Sequence, residues 1–506
     1  MCRLCNPERP QLPCPTRRDF LKTTAITGAA AAAGFTATAV PATAQESAAM
    51  DLPEGLADGS RQVLIKGGAV LSMDDAVGNF ATGDILVENG RIMEIAANID
   101  APDAAVVDAA GKVVMPGFID THHHQFETAL RSQLAHGILV NDGRPVNATN
   151  YYETILQKFS MVYRPEDVYI NELFGGISQL DAGVTTVMDV SQIHHSPEHS
   201  DAAIEGLRDA GRRGVFGYFE GWGDHAKYPD DASRIKEQWF SSDDQLLTMV
   251  MGGEIYLPGY ENAWKVGREL GLPIALHVVG TFGMQPAFDE LGAKGMFGED
   301  NIFIHMTGMS DDGWKYAADA GAHVSLAVPI EMHMRHGTPP IQKAIDLGMG
   351  ISLSSDVECT MTADMFTQMR SLITLQRMFV NEAALAGEQD YPELMQCLDA
   401  IRHATIEGAK GLKLDAVTGS LTPGKAADIV LLDATAINVA PLNNVPGAVV
   451  TLMERTNVDT VMVAGKVKKW KGQLLDFDVE RLRGELEASR DYLFEAAGME
   501  RDLFRA

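Results

Sequence analysis

The stretch MPGFIDTHHH, residues 115–124, decides how this chain folds. An apolar run, typical of a buried strand, ends there in histidines two positions apart. Side chains at such positions point to the same side of a strand, so His122 and His124 can reach one metal ion while His123 points away. Imidazole is a common zinc ligand. An incidental cluster or a hydrogen-bonded core group is the alternative, and the spacing favours a metal site.

Three further polar residues end apolar runs in the same manner. His277 ends PIALH, His305 ends NIFIH and Asp356 ends GISLSSD. Barrel enzymes place their catalytic groups at the C-terminal ends of strands. A lone histidine of this kind is more often structural, but these residues and the histidine pair together indicate a metal centre.

Short apolar runs alternate with helical patterns through the middle of the chain. The runs are VTTVMDV (184–190), VFGYFE (215–220), PIALHVV (273–279), NIFIHM (301–306), HVSLAV (323–328) and GISLSS (350–355). This rhythm predicts an α/β fold, a parallel (β/α)8 barrel over residues 116–414. VTTVMDV is taken as its third strand and VFGYFE as its fourth. The long connection 126–165 follows the first strand and could cover the barrel mouth.

Strands also bracket the barrel at both chain ends. Alternating patterns and turn residues place them at 62–72, 83–96, 105–115, 424–432 and 458–467. We expect one composite β-domain from residues 60–115 and 415–475. Residues 476–506 have charged helical periodicity, which predicts a C-terminal helical segment on the outside.

Residues 1–44 have the features of a twin-arginine signal peptide. Arg17 and Arg18 precede an uncharged run rich in Ala and Gly, and Ala42-Thr43-Ala44 has the small-x-small pattern of a cleavage site. The run is short and weakly apolar for a transmembrane anchor. We therefore expect a periplasmic or secreted protein with no membrane anchor after cleavage.

The composition indicates which partners to expect. The net charge of −28, from 69 acidic and 41 basic residues, disfavours nucleic acid and anionic membranes. Of five cysteines, only Cys359 and Cys397 lie beyond the leader, too few for a disulfide framework. A small-molecule partner is expected.

These residues and motifs resemble those of the amidohydrolase superfamily, from about residue 62 to about residue 470. The resemblance rests on PGFIDTHHH, the strand-end histidines, Asp356, and the closing GKAADIVLLD and VMVAGKV. THHHQFETALR is most similar to the branch of triazine hydrolases and heteroaromatic deaminases. The resemblance implies a metal-dependent hydrolase, a small β-sandwich built from both chain ends, and commonly a homo-oligomer.

The resemblance also implies roles for the strand-end residues. It places one divalent metal ion, zinc first and iron, manganese or cobalt as alternatives, on His122, His124, His277 and Asp356. Asp356 would move protons, and His305 would assist the water or the substrate.

One position departs from the pattern of this branch. Its fifth strand usually reads H-x-x-E, and the glutamate gives a proton to a ring nitrogen, whereas this chain has His277-Val278-Val279-Gly280. The departure favours an amide, urea, carbamate or lactam substrate. A deaminase or dechlorinase-type hydrolase of an amino-heterocycle is the alternative. A non-enzymatic scaffold ranks lowest, because every expected ligand is present.

The number of metal ions and the substrate contacts stay open at this level. Glu220 could bridge two ions, with His277 and His305 on the second, although a capping or salt-bridged glutamate is favoured. Candidate substrate contacts, each more often structural, are His195, Trp222, His333 and His336.

Overall fold

The computed structural model describes residues 51–242 and 244–504, so the predicted leader lies outside the described residues. Five strands come first: β1 Val63–Val70, β2 Phe80–Glu88, β3 Arg91–Ala96, β4 Ala105–Asp108 and β5 Lys112–Pro116. Eight barrel strands follow: β6 Phe118–His123, β7 Val184–Ser191, β8 Arg213–Tyr218, β9 Leu247–Gly252, β10 Ile274–Val279, β11 Asn301–Thr307, β12 His323–Leu326 and β13 Gly350–Leu353. Four strands come last: β14 Ile429–Asp433, β15 Val458–Val463, β16 Lys466–Trp470 and β17 Gln473–Leu474.

Helices alternate with the barrel strands and surround them. They are α1 Pro165–Asp181, α2 Pro197–Asp209, α3 Ala232–Trp239, α4 Tyr260–Glu269, α5 Gln285–Ala293, α6 Asp311–Asp319, α7 Val328–His333, α8 Ile341–Asp346, α9 Met365–Ala386, α10 Cys397–His403, α11 Ile406–Gly411, α12 Val445–Thr451 and α13 Val479–Ala496. None of the helices among the described residues combines the length and apolar character needed to cross a membrane.

The barrel strands lie side by side in chain order, from β6 to β13, and neighbouring strands are parallel. The last gap closes at the ends of β6 and β13. There the His124 amide donates to the Asp356 carbonyl (2.8 Å) and the Asp356 amide donates to the His122 carbonyl (3.0 Å). The predicted (β/α)8 barrel is confirmed, and we call this closure the seam.

The predicted strand count was wrong at two places. VTTVMDV forms the second barrel strand and VFGYFE leads into the loop after the third, so Glu220 does not follow the fourth strand. The fourth strand, β9, was not identified. Its run LTMVMG ends in glycine and not in the polar residue that marks the other strand ends, and its buried polar residue, Glu254, comes two positions later.

Both chain ends contribute to one mixed sheet of nine strands. The order is β17-β16-β15-β14-β5-β1-β2-β3, and β4 also pairs with β1. Register shifts around Gly68 divide β1, so that its first half pairs with β4 and its second half with β5. This sheet has an apolar cluster of its own, distinct from the barrel interior. The predicted composite of both chain ends is thus confirmed as part of the fold class.

The connection between β6 and α1, residues 124–164, is the lid connection. It contains 3-10 turns at Gln125–Leu130, Pro145–Asn147 and Ser160–Val162, and a π-helical segment at Tyr152–Phe159. Helix α13 packs beside its end, where the Arg164 guanidinium lies 3.5 Å from the centre of the Tyr492 ring. The long connection is therefore ordered and braced by the C-terminal helix.

Candidate metal centre and active site

Three imidazoles meet at the C-terminal end of the barrel. The Nε2 atoms of His122 and His124 are 3.0 Å apart, and the Nε2 atom of His277 lies 3.2 and 3.3 Å from them. The Asp356 carboxylate adds its Oδ1 atom, which lies 3.7 Å from His122 Nε2 and 3.5 Å from His124 Nε2. Strand alternation brings the first two rings together, as their spacing predicts.

This donor set fits a metal ion. In a tetrahedral site with zinc–nitrogen bonds of about 2.0–2.1 Å, neighbouring nitrogens lie about 3.3 Å apart. The nitrogen separations of 3.0–3.3 Å in this cluster match that spacing. Burial, and next the neighbouring imidazoles, lower the pKa of His122 and His124 well below the ordinary value, so both rings stay neutral with lone pairs available. Converging lone pairs repel one another unless a cation lies between them.

Two buried glutamates hold the outer nitrogens of the rings. His277 Nδ1 lies 2.5 Å from Glu254 Oε1, and His305 Nδ1 lies 3.0 Å from Glu331 Oε1. Burial alone would lower the pKa of His277, but the Glu254 carboxylate outweighs it and raises that pKa. Such carboxylate partners fix the tautomer and aim Nε2 at the centre. Neither glutamate was predicted from the sequence, because each meets its histidine only through the tertiary fold.

His305 and Asp356 lie together beside the imidazole cluster. His305 Nε2 is 3.6 Å from Asp356 Oδ2. Both residues have left-handed backbone, with φ of 73° and 62°, which costs a residue with a Cβ some strain and is concentrated at functional sites. Burial raises the pKa of Asp356 to about 7, partly opposed by His277.

The end of β10 is closely packed at position 280. A Cβ on Gly280 would lie 3.0 Å from Gly308 Cα and 3.1 Å from the carbonyl oxygens of Gly308 and Thr307. These atoms belong to the backbone, so they cannot move aside as a flexible side chain does. The missing glutamate therefore reflects a close approach of two strand ends.

Glu220 lies after β8 and has a carboxyl group with one partner. Its Oε1 accepts a hydrogen bond from the Tyr256 hydroxyl (2.5 Å), and its buried Oε2 has no hydrogen-bond partner. Burial, and next the charge of Glu254, raise the pKa of Glu220 to about 7. Among the described residues, the convergent donor groups are His122/His124/His277 and His122/His305/Asp356. Glu220 belongs to neither, so its second-metal role stays a prediction.

A cavity of about 820 Å³ opens over the cluster. Most of its wall is apolar or aromatic, and its lining includes Leu139, Val140, Tyr151, Tyr152, Leu156, Met161, Trp222, Tyr256, Leu257, Pro258, Val279, Phe282, Met334 and Val357. Its polar lining comprises His124, Gln157, Gln192, Glu220, His277, His305, His336 and Asp356. Trp222 and His336, two candidate substrate contacts, are therefore on the cavity wall.

The other two candidate contacts lie outside this lining and bind main-chain carbonyls. His195 Nε2 donates to the Ser160 carbonyl (2.8 Å), and its Nδ1 accepts from the Trp222 amide (3.0 Å). His333 Nε2 donates to the Ala135 carbonyl (2.9 Å). Both bonds end on the lid connection, so these histidines hold that segment in place.

A buried hydrogen bond also anchors the lid connection. The Tyr151 hydroxyl donates to Glu127 Oε1 over 2.6 Å. Burial raises the pKa of Glu127 to about 8, so this buried carboxyl keeps a proton near neutral pH. Tyr151 lines the cavity, which makes the lid connection a fixed part of its wall.

Known proteins are similar to this chain in sequence. The amidohydrolase family model matches residues 113–468, and the twin-arginine signal model matches residues 14–34. The 5'-deoxyadenosine deaminase of Methanosarcina mazei is 24% identical over 453 residues, which cover 85% of this chain and 98% of the relative. The 5-methylthioadenosine/S-adenosylhomocysteine deaminase of Pelotomaculum thermopropionicum is 26% identical over 447 residues, or 84% and 97% of the two chains.

Solved structures share the fold. A zinc-bound adenosine deaminase from Xanthomonas campestris superposes with a TM-score of 0.73 at 22% identity, over 86% of this chain and 98% of the other. Atrazine chlorohydrolase from Arthrobacter aurescens TC1, complexed with zinc, superposes with a TM-score of 0.71 at 17% identity, over 85% of this chain and 100% of the other. The chain carries a twin-arginine signal, which supports export. It belongs to the amidohydrolase family and is a metal-dependent hydrolase of carbon–nitrogen bonds other than peptide bonds.

Proposed function

We propose that this protein hydrolyses an exocyclic or linear C–N bond of an amide, urea or carbamate, or the ring C–N bond of a lactam. The observation that carries the proposal is Gly280, which has no proton-delivering side chain at the end of β10 and is closely packed against the backbone of Thr307 and Gly308. Attack on a ring amidine needs a proton on the ring nitrogen, and general acid catalysis of this kind contributes about 10²–10⁴-fold. A carbonyl substrate does not need a proton at that position.

The proposed site holds one divalent metal ion, zinc by its donor set. Its ligands are His122, His124, His277 and Asp356. Bound there, the ion would lower the pKa of a water molecule toward neutrality and supply a nucleophile. The Asp356 carboxylate, which lies beside the imidazole cluster, would accept a proton from the attacking water and pass it to the leaving nitrogen. Burial raises the pKa of Glu331 well above its ordinary value, so its protonated carboxyl donates to His305 Nδ1. His305 then carries its proton on Nε2 and donates it to the oxygen that gains negative charge.

A second candidate function is deamination of an amino-substituted heterocycle. The curated relatives compared above are deaminases. Glu220 lines the same cavity, and burial raises its pKa to about 7, so the carboxyl is partly protonated near neutral pH. This carboxyl could supply from β8 the proton that β10 cannot supply.

A paired assay on one preparation separates the two functions. Cleavage of aryl amides, ureas and carbamates is measured against ammonia release from aminopurines, aminopyrimidines and aminotriazines. We expect cleavage of the carbonyl substrates, and Glu220→Gln should leave it largely intact with about one metal ion per chain. Efficient deamination without carbonyl cleavage, lost about 10²–10⁴-fold in Glu220→Gln, would establish the second function instead.

The proposed site of action is the periplasm or the medium. The twin-arginine signal supports this location, because it directs export. The twin-arginine route exports proteins that have already folded. A folded barrel could take up its metal ion before export. The expected partner is a small-molecule substrate, and assembly into a homo-oligomer stays a prediction.

A further inference from the structure

We infer that the substrate is an uncharged molecule with a large apolar, aromatic part, and that anionic substrates are excluded. The inference rests on the proposed function, because it names the substrate class of the same site. It depends on the charge, the mouth and the size of the cavity.

The first observation is the absence of a cationic side chain. No lysine or arginine is among the described residues that line the cavity. Proteins recognise carboxylates and phosphates chiefly through arginine and lysine. Arg335 is adjacent to the lining residue His336, but its guanidinium is paired with Asp142 at 2.6 Å. An anionic substituent would therefore find no countercharge on the wall.

The histidines on the wall do not supply that charge. His336 is buried, and its ring centre lies 4.7 Å from that of His305, so a positive charge on His336 would be desolvated beside the candidate metal centre. The remaining ionisable lining groups are the acids Glu220 and Asp356 and the histidines of the candidate metal centre. A negative group placed away from that centre would meet apolar surface, acidic residues or the polar side chains Gln157, Gln192 and His336, and no cationic side chain would compensate its desolvation.

The second observation concerns the mouth. Four large apolar or aromatic side chains of the cavity wall are also partly open to solvent: Tyr152 (42%), Met161 (48%), Trp222 (44%) and Tyr256 (43%). Single exposed hydrophobic residues are ordinary, but several around one cavity indicate a ligand site. The rings of Tyr152 and Phe282 meet edge to face at 6.1 Å and join the lid connection to the loop after β10. The apolar surface thus continues from the mouth toward the centre.

The third observation is size. A cavity of about 820 Å³ lies in the upper part of the roughly 300–1,000 Å³ range of drug-sized ligand sites. A small amide such as acetamide would leave most of the apolar wall in contact with water. Burial of apolar area contributes about 25 cal/mol per Å², so an aryl substituent gains binding energy in this cavity.

The test compares a matched pair of ligands on the metal-loaded enzyme. N-(biphenyl-4-yl)acetamide is neutral, and its 4'-carboxylate differs from it by one distal negative charge. Calorimetry gives Kd for each, and kcat/KM is measured in parallel. We expect the neutral compound to bind at least tenfold more tightly. Equal or tighter binding of the carboxylate, or no binding of the neutral compound, would overturn the inference.

Binding and turnover separate this inference from the proposed function. Tighter binding of the neutral compound without its hydrolysis would refute the proposed amide cleavage and leave the substrate class standing. Gln157→Arg adds a cation at an exposed residue of the wall and should narrow the difference in Kd. Gln389→Arg, the same change at an exposed loop residue outside the lining, should leave it unaltered. An unaltered difference in Gln157→Arg would refute the electrostatic origin.

Discussion

Each imidazole of the candidate centre is held in place by a different contact. Glu254 fixes His277, and Glu331 fixes His305, through side-chain hydrogen bonds. His122 and His124 are positioned instead by β6, whose main chain is bonded to Asp356 across the seam. The alternation of side chains along a strand is enough to predict that His122 and His124 point to the same side. The two glutamates cannot be found that way, because their partners lie 23 and 26 residues away along the chain.

We expect His122→Ala and His124→Ala to lose bound metal and activity together. Both nitrogens belong to one convergent donor group, so removal of either opens the site. The loss should exceed the roughly 10- to 100-fold that follows removal of an outer hydrogen-bond partner. Metal analysis and kcat/KM are measured on the same preparations. His225→Ala is the control, because that histidine is exposed and belongs to neither convergent donor group. Full metal and full turnover in either ligand variant would refute the assignment.

At the scale of elements, the ends of β10 and β11 approach closely, with a glycine on each side of the contact. Gly280 and Gly308 meet backbone to backbone, and Gly308 has a φ of 71° besides. The sequence shows the glycine but not the contact, since the contact depends on how two neighbouring strands end. The strand β9 could not be recognised from the sequence either, because it ends in a glycine and its polar residue, Glu254, comes only after a second glycine, Gly253.

Gly280→Ala should destabilise the protein by about 1–3 kcal/mol, the range for overpacking a closely packed site. The added Cβ would meet backbone atoms at 3.0 and 3.1 Å. Gly484 in α13 is exposed, and a Cβ added there would have no atom within 4 Å, so Gly484→Ala should stabilise by about 0.5–1 kcal/mol. Urea midpoints measured with metal present give the comparison. A stabilising effect of both changes would show that the strand ends separate readily.

At the scale of the whole molecule, periodic patterns predicted the layers well. The barrel, the sheet from both chain ends and the outer helix follow from alternation and helical spacing. The shape of the lid connection and the cavity did not, because both depend on side chains from distant loops, such as Tyr151 on Glu127 and His195 on Ser160. Specificity therefore depends on side chains that only the tertiary fold brings to the cavity wall.

Buried neutral histidines should make the whole fold sensitive to acid. Burial lowers the pKa of His323 to about 3, and its ring lies against the Ser352 hydroxyl at 2.9 Å. The unfolded chain takes up this proton near pH 6.5, whereas the folded chain does so only near pH 3. Stability is therefore lost as the pH falls through this window, by about 2 kcal/mol at pH 5 for one such group.

His323→Gln should reduce this pH dependence. Urea midpoints at pH 7, 6 and 5 are compared with those of the parent and of His225→Gln, a change at an exposed histidine. The fall in midpoint between pH 7 and 5 should be smaller in His323→Gln alone. An identical fall in all three proteins would assign the acid sensitivity to other groups.

At the seam, the same few residues close the barrel and supply candidate metal ligands, so the spacing of these residues along the chain matters for both. Residues 122–124 and 356 carry the candidate ligands and also the main-chain bonds that close the barrel. Deleting one residue from this stretch would turn the next histidine to the opposite face, because strand side chains alternate. It would also shift the hydrogen bonds by one position. Insertions and deletions here damage closure and coordination in one event, so a change of length in this region costs more than the loss of one ligand side chain.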